Sequence, residues 1–265
     1  MNVCRASVAK WVWVWVLGYG VWAVGGERAR VDLCGPWDFR LDPQDQGVAE
    51  RWFTAEAVYP DKIKVPGNWQ TQGFGPQRGH LRNDYQGRAW YRRSVEIPAD
   101  WAGRRIWLHL GGTSNTAEVY VNGKKVGVVE GFVTPYEFDI SEFVQPGAAA
   151  VIACRVDSTG VAPVGMFNFI GRWGGLYRGV HLEARSDPAI DDLFVIPDLA
   201  QQTARVRVVL RRSRTDAAWQ GDLAVRVSPC SGGGPEFQAS GPIRFAPGQA
   251  ESEPVIAPKA SGKKL

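Results

Sequence analysis

Trp69, Trp90 and Trp173 are the side chains with most to offer a ligand. An indole face is flat, apolar and electron-rich, so it stacks on the C–H face of a pyranose ring as readily as it packs a core. Trp90 lies within a strand-like run and reads as core. Trp69 and Trp173 lie beside turn signals, where both readings stay open. Asn83 and Asp84 adjoin each other ahead of that same run. Such a pair either closes a turn on its own backbone or reaches a ligand from a loop on a rigid scaffold. Arg172 and Arg178 flank the pair Gly174-Gly175. They read first as loop anchors to a carboxylate or carbonyl, and second as groups for a sugar acid or hydroxyls. His80, His109 and His181 are scattered, and the last two fall in strand-like runs with no partner spacing. They read as neither metal ligands nor bases. The chain has 27 acidic residues, and none sits in a recognisable catalytic setting.

The elements that must position these groups are strands. Residues 105–110 (RIWLHL) alternate apolar and polar side chains, the period of a half-buried strand. Residues 88–98 are rich in bulky β-formers, and 149–156 form a continuous apolar run. Asn122-Gly123 stands between two β-rich runs; both residues tolerate positive φ, which marks a tight hairpin. Further strands are expected at 134–140 and 179–184. Trp37, Trp90, Trp107, Val119, Val121 and Val156 are expected to point inward. A polar, turn-prone segment, Ser186-Asp187-Pro188, marks a boundary. Beyond it strands are expected at 190–196, 204–212 and 221–227, with weaker ones near 237, 243–245 and 255–256 and none in the tail 259–265. Helical periodicity is not sustained anywhere. The fold class is all-β: a jelly-roll sandwich over 27–186, then a partial immunoglobulin-like sandwich over 187–265.

Composition narrows the classes. Gly (31), Pro (17) and Trp (12) are plentiful, which fits short strands and many turns. The formal charge of +4 is spread over short basic pairs, so no stripe for nucleic acid is present. Residues 1–26 carry Arg5 and Lys10, an apolar run from Trp11 to Val24, and then Gly25-Gly26 before charged sequence. That is the layout of a secretory signal peptide, shorter than the ~20 residues of a membrane span, although its Trp-Val alternation resembles a strand. A secreted or periplasmic bacterial location follows as an expectation, with no membrane contact after cleavage. Cys4, Cys34, Cys154 and Cys230 match no metal spacing, and Cys154 reads as a small buried hydrophobe. No cofactor or metal is expected.

In order along the chain, LCGPWDFR (33–40), VPGNWQ (65–70), DYQGRAWYRR (84–93), AEVYVNGKKVG (117–127), TPYEFDIS (134–141) and GRWGGLYRGVHLE (171–183) resemble the sugar-binding domain of glycoside hydrolase family 2. That is the β-galactosidase, β-mannosidase and β-glucuronidase family. The stretch 190–199 is similar to the start of the family's immunoglobulin-like domain. The resemblance implies a jelly roll that leads, through the second sandwich, to a TIM barrel carrying two catalytic glutamates. It therefore implies no catalytic residue in this chain. It also implies that an Asn before the WYRR strand and an Asp before the paired glycines reach the substrate. Asn83, with Asp84 beside it, matches the first. At the second, MFNFIGRWGG (166–175) lacks the Asp, and Asn168 is the nearest polar residue, a departure from the galactoside type. The implied substrate-binding set is Asn83, Asp84, Asn168, Arg172 and Trp173.

The expected function is the non-catalytic front of a secreted glycosidase. Its partners would be a β-glycoside and the missing catalytic barrel, and nucleic acid would not be among them. A free-standing lectin-like module and a structural secreted sandwich are the alternatives.

Overall fold

A computed structural model describes residues 13–14, 23–24, 29–78, 82–131, 134–159, 173–198, 203–227, 237–256 and 259–260. The chain forms two compact units, one of residues Arg30–Arg185 and one of Ser186–Leu265, with which the N-terminal stretch groups. In that stretch β1 (Trp13–Val14) pairs antiparallel with β2 (Ala23–Val24).

The first unit is built from β3 (Ala29–Asp32), β4 (Gly35–Asp42), β5 (Asp61–Val65), β6 (Gln77–Arg78), β7 (Arg82–Asn83), β8 (Arg88–Glu96), β9 (Arg105–Leu110), β10 (Thr116–Val121), β11 (Lys124–Glu130), β12 (Tyr136–Asp139), β13 (Ala149–Asp157) and β14 (Val180–Arg185). They form a six-stranded sheet in the order β11-β10-β13-β8-β4-β5 and a four-stranded sheet in the order β12-β9-β14-β3. β6 and β7 pair separately. Asn122 and Gly123 have φ of 47° and 78° and close the β10–β11 hairpin, with Val121 opposite Lys124, as the sequence requires. Trp37, Trp90, Val119, Val121 and Val156 are buried as expected. Trp107 is not. On β9 the buried positions are Ile106, Leu108 and Leu110, and period two sends Trp107 and His109 to the other face. There Trp107 packs beneath the Arg185 guanidinium, 4.8 Å from its ring centre.

Alternation fails in the middle of the larger sheet for a physical reason. Ala89-Trp90-Tyr91, Val119-Tyr120-Val121 and Ile152-Ala153-Cys154 are buried without a break, because both sheet faces are covered. Phe39 and Tyr91 pack edge to face, 5.0 Å apart, on the inner side. On the outer side the 43–60 loop lays Trp52, Phe53 and Tyr59 over Trp90, Tyr120 and Ala153. Burial pushes the Cys154 thiol up to about 12, consistent with its reading as a hydrophobe. Asp42, itself buried, fastens the loop. Its carboxylate accepts from the backbone N–H of Gln46 (2.8 Å) and Gly47 (3.0 Å) and from Trp90 Nε1 (2.9 Å). Asp42→Ala leaves these donors unmet, so a loss of about 2 kcal/mol is expected. Limited proteolysis should then cut the chain within 43–60 faster than in the wild type.

In the second unit β15 (Ala189–Asp198), β16 (Thr203–Arg211), β17 (Trp219–Val227), β18 (Phe237–Phe245), β19 (Glu251–Ser252), β20 (Val255–Ile256) and β21 (Lys259–Ala260) make two sheets. One joins β15, β16, β19 and β20; the other is β17-β18-β21. Val206, Val208, Leu210, Leu223, Val225, Ile243 and Phe245 form the core between them. Two expectations are corrected. The weak strands near 237 and 243–245 are one strand, held straight by nine-residue pairing with β17. The tail contributes β21, paired to Phe237 and Gln238.

Candidate functional site

Strand register gathers the loops of the first unit. Leu110 lies opposite both Val180 and Tyr136, and Thr116 lies opposite both Asp157 and Glu130. The segments that leave these residues, including 111–115 and 173–179, therefore emerge together. They are bonded directly: Ser114 donates its backbone N–H to Gly175 O (3.1 Å), and Arg178 to Gly112 O (3.4 Å). The Ser114 hydroxyl also donates to the Trp173 carbonyl.

Residues 66–78 and 82–87 are clasped to this frame. Gly67 and Trp69 donate backbone N–H to Leu176 O (2.9 Å) and Gly174 O (3.0 Å). Trp69 Nε1 donates to Tyr85 O at 3.0 Å. Trp69 is fully buried, so its core reading is the one observed. It fits because residue 174 is glycine: a Cβ there would lie 1.6 Å from the indole. Gly175, at φ 137°, is equally constrained, since a Cβ would lie 2.6 Å from Gly67 O. Gln70, buried, completes the joint. Its Nε2 donates to Tyr85 O (2.9 Å), and its Oε1 accepts from Gly174 N–H (3.1 Å).

Asn83 and Asp84 stand two residues and one residue before Tyr85, so the Gln70 and Trp69 bonds set their position relative to Trp173. Asn83 does not close an Asx turn. Its Nδ2 donates to Gly75 O, eight residues back, at 3.0 Å. Asp84 is half-buried and donates its N–H to Pro76 O at 2.7 Å. Trp173 is half-buried, the one indole of this frame left beside the surface. Asn168 and Arg172 lie outside the described residues. Sequence reasoning missed Gln70, whose partners lie 15 and 104 positions away; no local signal marks it.

A second cluster lies on the outward face of the four-stranded sheet. His109, His181 and Glu183 offer ligand atoms within 4.8 Å of one another. Their arrangement does not suit a metal. The imidazole planes are 8° from parallel with centres 4.3 Å apart, so their in-plane lone pairs do not converge. Arg185 Nη2 sits 3.2 Å from His109 Nε2, and Arg185 Nε donates to Glu183 at 2.7 Å. A cation bound there would face a guanidinium. Sequence spacing gives these histidines no partner, whereas register pairs them across β9 and β14.

Comparison with known proteins places this frame in context. Residues 31–185 match the family model "Glycosyl hydrolases family 2, sugar binding domain". A β-galactosidase of Thermoanaerobacter pseudethanolicus is 33% identical over 132 residues, which cover 48% of this chain and 18% of that protein. A β-glucuronidase of Felis catus is 29% identical over 250 residues, covering 76% of this chain and 37% of that protein. The chain thus spans well under half the length of these relatives. Among solved structures, a glycosyl hydrolase family 2 member from Bacteroides cellulosilyticus superposes with a TM-score of 0.68 at 19% identity, over 86% of this chain and 31% of that one. A β-glucuronidase from Ruminococcus gnavus in complex with D-glucuronic acid gives 0.63 at 21% identity, over 89% and 44%. At these identities the structural likeness speaks for the fold.

Proposed function

The chain belongs to glycosyl hydrolase family 2, and from that premise we propose that it is the sugar-facing, non-catalytic part of a β-glycosidase. The carrying observation is the make-up of the loop frame. The described residues of 66–78, 82–87, 111–115 and 173–179 include the carboxamide of Asn83, a half-buried indole, Trp173, and a single carboxylate, Asp84. Cleavage of a glycosidic bond needs two carboxyl groups flanking it, about 5 Å apart in retaining enzymes. The frame can contact a sugar and cannot supply that pair. The substrate is a β-glycoside of the kind named by the relatives, β-galactoside or β-glucuronide. The partner that completes the reaction is a catalytic barrel carrying the two acids. In this reading residues 1–26 are an export signal, 27–186 the sugar-facing domain and 187–265 the sandwich that connects to the barrel. The mature protein is exported and begins near Glu27, which terminal sequencing of the exported product tests.

Purified chain is expected to leave nitrophenyl β-galactoside, β-mannoside and β-glucuronide uncleaved. Joined to a family 2 barrel it should support turnover, and Asn83→Ala should then lower kcat/KM by about tenfold, near the 1.4 kcal/mol of one good hydrogen bond. Robust hydrolysis by the chain alone, abolished by replacing one of its own carboxylates, overturns the proposal. Tight glycan binding by the chain alone would instead favour a free-standing lectin-like module.

A further inference from the structure

The sheet register sets Glu137, His109 and His181 in one row across β12, β9 and β14. His109 is held at both nitrogens. Nδ1 lies 3.1 Å from Glu137 Oε1, and Nε2 lies 3.2 Å from Arg185 Nη2. A guanidinium only donates, so Nε2 must accept and Nδ1 carry the proton; these partners fit the neutral ring. His181 stacks on it, and its Nε2 is buried without a hydrogen-bond partner.

Charged groups from four strands face the pair. From β14, Glu183 is fully buried and takes Arg185 Nε (2.7 Å) and, from β3, Arg30 Nη2 (2.8 Å). From β12, Glu137 takes Arg185 Nη2 (2.9 Å). From β3, Asp32 accepts the Cys34 N–H (2.8 Å). On β9 itself, Arg105 is bonded to Asp139 of β12. A proton added to His109 sets a cation 3.2 Å from the Arg185 guanidinium and against a second ring 4.3 Å away, opposed by Glu137 at Nδ1 and by Glu183, 4.0 Å from Nε2.

We propose that the stacked His109–His181 pair is an acid-operated latch. While both rings are neutral, Arg185 is fastened to the sheet face. Proton uptake turns His109 Nε2 from acceptor to donor and sets a cation against the guanidinium, which lets Arg185 go. Arg185 is the last residue of β14, and Ser186 begins the second unit, so the release falls where the chain leaves the sheet. Burial, opposed by Glu137, holds His109 down at about 4. Burial and Arg30 lower His181 as well. Unfolded histidines titrate near 6.5, so the unfolded chain binds protons first. Stability is therefore full above pH ~6.5 and declines as pH falls toward ~4.

The test is a histidine NMR titration of the whole chain, native and in urea, with His109→Gln and His181→Phe for assignment. Expected are a native midpoint for His109 at least one pH unit below its value in urea, and one for His181 below its value in urea. Amide-exchange protection at Glu183–Ser186, corrected for the intrinsic rate at each pH, should fall between pH 7 and 5 more than protection in β13. The fall in thermal midpoint over that range should shrink when both residues are replaced. Midpoints equal to those in urea, or unchanged protection at Glu183–Ser186, overturn the proposal, as does an undiminished fall in the double variant. If the variants do not fold, the wild-type titration and exchange decide it alone.

Discussion

Gly174→Ala should unfold the first unit at a far lower urea concentration than the wild type, with a loss of about 3 kcal/mol or more. The new methyl would lie 1.6 Å from Trp69 Cζ2 and 2.0 Å from Cε2, which no rotamer adjustment of an alanine relieves. The indole has nowhere to retreat. It is fully buried, tied through Nε1 to Tyr85 O and packed between Phe39 and Tyr85, with ring centres 6.4 and 5.9 Å away. Overpacking costs about 1–3 kcal/mol where neighbours can shift, and this site sits at or beyond that limit. Gly73→Ala is the control. Nothing lies within 4 Å of its added methyl, so only the left-handed backbone, at φ 90°, opposes it, by about 1 kcal/mol. Urea unfolding of both variants, followed by tryptophan fluorescence, makes the comparison. Equal midpoints for the two would mean that Trp69 is not seated against Gly174. Because Gln70 bonds the same glycine, the damage should spread to the segment bearing Asn83 and Asp84.

Glu183→Ala should cost about 3 kcal/mol. Its side chain is fully buried, and that of Arg185 is 6% exposed. Removing one partner of a buried pair leaves an uncompensated charge, a loss of about 3–5 kcal/mol. Glu137 remains on Arg185, but it is 43% exposed and screened, so the lower end applies. Arg30→Gln removes the other cation from the same carboxylate. With 56% of the Arg30 side chain in water, it should cost no more than about 1 kcal/mol. Replacing Glu183 and Arg185 together by leucine should recover much of the loss. Denaturant midpoints for the three variants check this; Glu183→Ala no worse than Arg30→Gln would contradict it.

Much of the fold was legible because its signals are local. Asn122-Gly123 announces its hairpin, and 105–110 announce their alternation. Alternation alone leaves open which phase of 105–110 faces inward: with Ile106, Leu108 and Leu110 inward, Trp107 faces outward. Uninterrupted burial in β8, β10 and β13 depends on a covering loop about 30 to 100 residues earlier in the chain, which no period reveals. Of the expected contact residues, Asn83, Asp84 and Trp173 fall in one hydrogen-bonded frame, while the residue that registers them, Gln70, acts through contacts far away in sequence. The histidine pair was hidden in the same way, since 72 positions separate two rings that only strand pairing brings together.

The cover fastened by Asp42 has a consequence for how the protein is made. Trp52, Phe53 and Tyr59 are synthesised well before Tyr120 and Ala153, which belong to the surface they cover. At ordinary synthesis rates of about 5–20 residues per second, some hundred further residues take roughly 5–20 s. For that interval the three aromatic side chains lack much of the surface they finally cover. Polar replacements in 43–60 would therefore act on yield during synthesis as well as on the finished fold.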